Sequence, residues 1–189
     1  MQTLPTVERK KIFISHSAPD DNYFATWLAS KLKLLGYDVW VELNELMFGD
    51  AFWPEIEKTI REESARFLVV ISKSYCEKVR TQGSGVFKEL SCADRIKNIN
   101  NFLLPIRLDE TSEDDFPVQV MGLHSVDFFE NWQTGLDDLH KNLRKQKVPI
   151  TNKIENPLPF WLDAFKIQDI TNTIPELVYS NWFPITLPD

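Results

Sequence analysis

Apolar residues along this 189-residue chain fall into two kinds of pattern, short unbroken runs and stripes at helical spacing. Ile12-Phe13-Ile14 is the first run, and its shortness and polar flanks predict a strand buried on both faces of a parallel sheet. A polar loop follows over residues 15–22. Phe24, Trp27, Leu28, Leu32 and Leu35 then recur on one helix face, the stripe of a helix lying against that sheet. Gly36 is a natural helix stop, and residues 37–41 read as the second strand. Strand, helix and strand together make one right-handed crossover unit. In such units ligands bind beyond the carboxyl ends of the strands, so residues 15–22 are the first place to look for function.

The alternation continues. Residues 42–50 form an acid-bearing loop with Gly49, and Phe52, Ile56 and Ile60 space a second helix. Residues 67–71 predict the third buried strand, and residues 72–85 read as irregular, punctuated by Gly83-Ser84-Gly85. Val86, Leu90, Ala93 and Ile96 mark the next helix, and residues 102–106 the fourth strand. Pro105 lacks a ladder donor and predicts a place near that strand's end or at the sheet edge. An acidic loop over residues 109–115 leads to a short strand at 125–128. Trp132, Leu136, Leu139 and Leu143 define a last helix, ending among Arg144, Lys145 and Lys147, where cations suit the helix dipole. The expected fold is therefore α/β, a flavodoxin-like doubly wound parallel sheet of about five strands.

The tail over residues 148–189 breaks the pattern. It holds Pro149, Pro157, Pro159, Pro175, Pro184 and Pro188 beside Phe160, Trp161, Phe165, Trp182 and Phe183. It is too apolar for a solvated linker and too short to build its own core, which predicts an arm packing on another surface.

Composition narrows the function. A net charge of −7 and a pI near 5.0 oppose an autonomous nucleic-acid binder, whose affinity rests on basic residues, and leave any such role indirect. Cys76 and Cys92 are too few for a disulfide framework, and neither they nor His16, His124 and His140 have the spacing of a metal site. The amino terminus lacks the apolar core of a signal peptide and no run reaches membrane-spanning length, so a cytoplasmic protein without a membrane partner is expected. The loop after the first strand contains no glycine, which excludes a Gly-x-Gly-x-x-Gly dinucleotide turn. Ser15-His16 and Ser72-Lys73 stand where a phosphoacceptor receiver needs acids.

Ile12-Phe13-Ile14-Ser15-His16, Gly36-Tyr37-Asp38-Val39-Trp40, residues 46–49, residues 67–72 and Lys88-Glu89-Leu90 occur in order and at the right spacing. Together they resemble a Toll/interleukin receptor (TIR) domain, over residues 8–147, with 46–49 as its BB loop. Phe52-Trp53 and residues 102–108 look most like bacterial TIR domains joined to an APAZ region, and residues 180–185 are similar to the start of such a region. The resemblance implies a bacterial anti-phage setting, self-assembly of TIR domains, and a short prokaryotic Argonaute-type partner reached through the arm.

The resemblance also leaves two jobs open. Many TIR domains cleave NAD+ at the nicotinamide–ribose bond when they assemble, with NAD+ as substrate and no cofactor; others only associate and transmit a signal. The departing nicotinamide is neutral, so the reaction needs a carboxylate to face the developing oxocarbenium ion rather than a strong acid. The resemblance puts that glutamate just before the BB-loop glycine, where this chain has Met47, a side chain without charge. Glu45 is the acid two residues away, on the same face of an extended segment, and is the candidate catalytic residue. Its bland alternative is a solvated loop acid, with Met47 filling an apolar gap. Ser15, His16 and Ser17 are the nucleotide-binding candidates, beside a helix amino terminus that favours phosphate. Trp40 and Phe48 are candidates to stack on a ring. A backbone-bonded loop histidine is the competing reading of His16, and a core aromatic that of Trp40.

Overall fold

The structure, a computed structural model, describes residues 8–42 and 53–151. Five strands form one sheet in the order β2-β1-β3-β4-β5, and every neighbouring pair is parallel. They are β1 (Lys11–Ser15), β2 (Asp38–Val41), β3 (Ser64–Ile71), β4 (Leu103–Arg107) and β5 (Val126–Asp127). The helices are α1 (Asn22–Leu34), α2 (Trp53–Lys58), α3 (Lys73–Val79), α4 (Gly85–Asp94) and α5 (Trp132–Lys145). The expected doubly wound fold is therefore the observed one, with its order reversing between β1 and β3.

Side chains alternate across each strand, and the two faces bury two separate cores. Ile12, Ile14, Leu68, Val70, Leu104 and Ile106 face α1 and α5, where Trp27, Leu28, Leu32, Leu136, Leu139 and Leu143 meet them. Phe13, Phe67, Val69 and Ile71 face the other way, against Ile56, Ile60, Tyr75 and Leu90. Phe13 stacks between Trp40 and Phe67, with ring centroids 4.4 Å and 4.9 Å away. Ser15 follows Phe13 by two residues, so it points to the α4 side. That parity positions the site described below.

Helix α1 stops where Gly36 takes φ +93, a left-handed conformation that costs glycine nothing. The Tyr37 amide then donates to the Leu32 carbonyl and starts β2. Helix α2 runs from Trp53 and continues as a π-helical turn over Thr59–Glu63; Phe52, expected at its start, lies outside the described residues. Arg9 donates to the carbonyls of Ile60, Arg61 and Ser64 and so satisfies the end of that turn.

Residues 72–85, expected to be irregular, contain helix α3. Ser72 caps it, its Oγ accepting from the Tyr75 amide at 3.0 Å. The stretch holds only two turns of helix, too short for a periodic stripe to announce itself. Pro105 sits in mid-strand rather than at the strand's end. The Leu108 amide donates to β3 and the Arg107 carbonyl accepts from Phe128, so the odd residues of β4 turn their backbone groups towards β5. Strand β5 pairs only from Val126, opposite Ile106. The donor that Pro105 lacks thus faces the side where no ladder runs, which recovers the edge expectation in another form.

The arm beyond Thr151 lies outside the described residues, while Val148 is buried and the Thr151 amide donates to the Gly36 carbonyl at 3.0 Å. Gly135 in α5 has no room for a side chain, because a Cβ would lie 2.7 Å from both the Asp127 carbonyl oxygen and Phe128 Cγ. Gly135→Ala should cost about 1–3 kcal/mol in urea unfolding through overpacking, despite alanine's better helix propensity. A neutral or stabilising result would contradict this tight contact between α5 and β5.

Candidate functional site

The carboxyl ends of β1 and β3 flank the point where strand order reverses, the usual ligand crevice of such sheets. The loop that leaves β1 is bonded to Ser72, the residue after β3, and to Ser74 in the first turn of α3. Ser17 Oγ lies 2.6 Å from Ser74 Oγ, and Ser74 Oγ donates to Asp20 Oδ2 at 2.6 Å. Ser72 Oγ and the Ser17 amide both donate to Asp21 Oδ2, at 2.7 Å and 3.2 Å. Lys78 adds a bond to the Ala18 carbonyl and an ion pair with Asp20 at 3.4 Å. Asp21 is buried, and desolvation pushes its carboxyl up to about 6 despite the two donors. It also explains why α1 has no side-chain cap: its N-cap residue is committed to this latch.

Directly beneath, on the α4 side, Ser15 Oγ donates to Glu89 Oε2 at 2.6 Å and lies 3.2 Å from the Tyr75 hydroxyl. Glu89 is only 4% exposed. Desolvation raises its carboxyl to about 8, the Ser15 bond opposes that rise, and the charge of Glu42 at the end of β2 adds to it. A buried acid with a strongly raised pKa at a sheet's carboxyl edge is a candidate functional group. Glu89 belongs on the buried stripe of α4, three residues after Val86 and four before Ala93. A glutamate on an otherwise apolar stripe was the signal in the sequence. It lies within the Lys88-Glu89-Leu90 motif, among residues that the sequence-derived site candidates do not include.

The sequence-derived candidates divide. Ser15, His16 and Ser17 come together at the end of β1, and all three are buried. His16 Nε2 pairs with Asn22 Oδ1 at 2.8 Å, and burial pushes its imidazole down to about 4, so it is neutral near pH 7. Its second bond goes to the Ile14 backbone, in keeping with the backbone-bonded reading. Trp40 is half-buried and stacks on Phe13 at the edge of the second core. Glu45, Met47 and Phe48 lie outside the described residues. Among the described residues no group of three or more His, Cys, Asp or Glu could hold a metal ion. No helix there is long and apolar enough to cross a membrane.

The TIR-domain family model matches residues 12–140, most of the chain and all five strands. The chain belongs to the TIR-domain family. Among solved structures, a prokaryotic SEFIR domain is similar to this TIR domain at a TM-score of 0.52 and 23% identity, covering 72% of this chain and 97% of that one. That likeness concerns the fold. An uncharacterised protein of Sinorhizobium fredii, y4cD, is 29% identical over 188 residues. The match takes in 95% of this chain and 27% of y4cD, so the chain spans about a quarter of that relative's length.

The raised Glu89 carboxyl has a consequence for stability. Between the ordinary glutamate value, 4.5, and about 8, the folded TIR domain keeps a proton that the unfolded chain has released. Stability therefore falls as pH rises through that window, by about 1.4 kcal/mol per pH unit. Above about pH 6.5 the remaining titrations of His16 and Asp21 change stability by only a few tenths of a kcal/mol, His16 raising it and Asp21 lowering it. Urea unfolding from about pH 6.5 to about pH 8 should show the wild type losing roughly 2 kcal/mol and Glu89→Gln staying flat. Equal slopes in the two proteins would mean that Glu89 is ionised in the fold.

Proposed function

We propose that this TIR domain cleaves NAD+ at the nicotinamide–ribose bond when several copies assemble, with Glu89 as the carboxylate facing the reacting ribose. The observation that carries the proposal is the buried Glu89, held by Ser15 at the carboxyl edge and set beside Glu42. NAD+ as substrate rests on the family resemblance. The acid, its neighbours and their placement supply the chemistry that this substrate needs.

Bond cleavage puts positive charge on the ribose carbon as neutral nicotinamide departs. An ionised carboxylate aimed at that carbon stabilises the transition state more than the ground state. Alone and buried, Glu89 carries a proton near pH 7 and cannot do so. The nicotinamide ring of NAD+ is itself a cation, and its approach favours loss of that proton to solvent. Ser15 then donates to the carboxylate and fixes its direction. With Glu89 only 4% exposed, substrate access requires the packing around it to open, and the dependence on assembly, like the substrate, rests on the family resemblance. Glu45, near the Met47 position, is the second acid of the proposal.

The same burial favours one competing reading, a non-catalytic TIR scaffold that binds other TIR domains. The anti-phage setting and a short Argonaute-type partner engaged through residues 148–189 are further parts of the proposal, supported by the likeness of residues 180–185 to an APAZ region. The greater length of y4cD accords with a TIR domain that works joined to more protein. A cytoplasmic site of action suits an NAD+ substrate.

NAD+ turnover by concentrated protein under crowding tests the reading. Wild type should turn over; Glu89→Ala should lose on the order of 10²–10³ in rate or more, and Glu45→Ala should remain within about tenfold. Loss in Glu45→Ala with Glu89→Ala unharmed would move the catalytic acid to Glu45. Silence from wild type, whatever the assembly, would leave the scaffold reading.

A further inference from the structure

The last described residues are fixed to the amino edge of the sheet, the end away from Glu89. Helix α5 gives way to Lys147 at φ +54, and the Val148 amide then donates to the Leu143 carbonyl while its side chain is buried in the α1–α5 core. Three residues on, the Thr151 amide donates to the Gly36 carbonyl, between the end of α1 and the start of β2. The arm therefore departs from a defined point. Two exposed apolar side chains flank it, Leu34 in the last turn of α1 and Ile150 beside Thr151. Exposed Arg144, Lys145 and Lys147 make the same surface basic.

That surface also carries an unmet polar demand. Among the described residues, Tyr37 Oη and His140 Nε2 are buried and have no hydrogen-bond partner. Their rings meet edge to face with centroids 5.9 Å apart, so both atoms belong to one locality. Tyr37 directly follows Gly36, which places that locality beside the point where the arm departs. Buried polar atoms without partners are costly, and two at one spot call for a partner from another part of the chain. The sequence of the arm is suited to supply it. Residues 152–189 hold five acids against two bases, and Glu155 and Asp163 bracket their first apolar cluster, Leu158 to Leu162. Seven extended residues span at most about 25 Å, ample to bring that cluster from Thr151 back over Leu34.

We infer that the arm folds back on its own domain at this amino-edge surface, its Leu158–Leu162 cluster covering Leu34 and Ile150 and its polar groups bonding Tyr37 Oη and His140 Nε2. The acids of the arm then face the basic end of α5. The occupant is the same chain rather than a second copy, because Thr151 is already bonded there and closing the contact costs only a short loop. Docked this way, the arm stays clear of the carboxyl edge, where Ser15 and Glu89 meet. The inference goes beyond the function proposed above and depends on neither Glu89 nor NAD+.

Hydrogen exchange of the full chain, read by mass spectrometry, tests this. In the wild type the amides of residues 154–162 should be protected, equally at low and high protein concentration. Leu34→Glu/Ile150→Glu should speed their exchange on the order of 10²-fold, the loss expected for two buried apolar contacts. Tyr37→Phe should speed it about fivefold, as one hydrogen bond requires. Glu155→Lys/Asp163→Lys should also loosen the arm, and adding Arg144→Glu/Lys145→Glu/Lys147→Glu to the same chain should restore protection. Unchanged exchange in β1 and β3 shows that each variant has folded. Free exchange of residues 154–162 in the wild type, protection that survives Leu34→Glu/Ile150→Glu, or no response to Tyr37→Phe would overturn the inference. So would protection lost on dilution, which would seat the arm on another copy.

Discussion

The hydrogen bond from Ser15 to Glu89 joins the first strand of the sheet to a helix 74 residues later, and it does so out of reach of water. Leaving a buried carboxyl without a partner is expensive, and burying it ionised is more so. Both costs are met by the same arrangement: Ser15 donates, Tyr75 closes the far side of the hydroxyl, and the acid keeps its proton. That arrangement requires Ser15 to share the face of Phe13, and α4 to run beneath β1. The Asp21–Ser72 and Ser17–Ser74 bonds then hold the β1 loop to the end of β3 and the start of α3 above it.

The fold was legible because its two signals do not conflict. Unbroken apolar runs gave β1, β3 and β4, and the stripes of α1 and α5 supplied the layer on one face. Local rules failed where an element is short or its meaning depends on a neighbour. Helix α3 has too few residues for periodicity to register, although its cap, Ser72, was visible. Pro105 carried the right information, an absent ladder partner, but only the register against β5 shows that the gap lies to one side of a mid-strand residue.

The site was half legible. The loop after β1 was located from topology alone, and Ser15, His16 and Ser17 do meet there. Their roles depend on side-chain direction, which the strand's alternation sets. Ser15 turns towards Glu89, while His16 bonds Asn22 at the start of α1. Glu89 was hidden by its helix: a single acid on an apolar stripe looks like an interruption until the fold places it 2.6 Å from the end of β1. No sequence pattern states how far burial will move its proton affinity, because that depends on everything packed around it.

Direct titration of that proton is the most telling measurement. Carboxyl ¹³C spectra of protein labelled at glutamate side chains, recorded against pH, should contain one resonance titrating at about 8 that is absent from Glu89→Gln. Should every glutamate instead titrate near the ordinary value of about 4.3, Glu89 would be a solvated or ion-paired carboxylate, and the buried acid at the centre of this account would not exist.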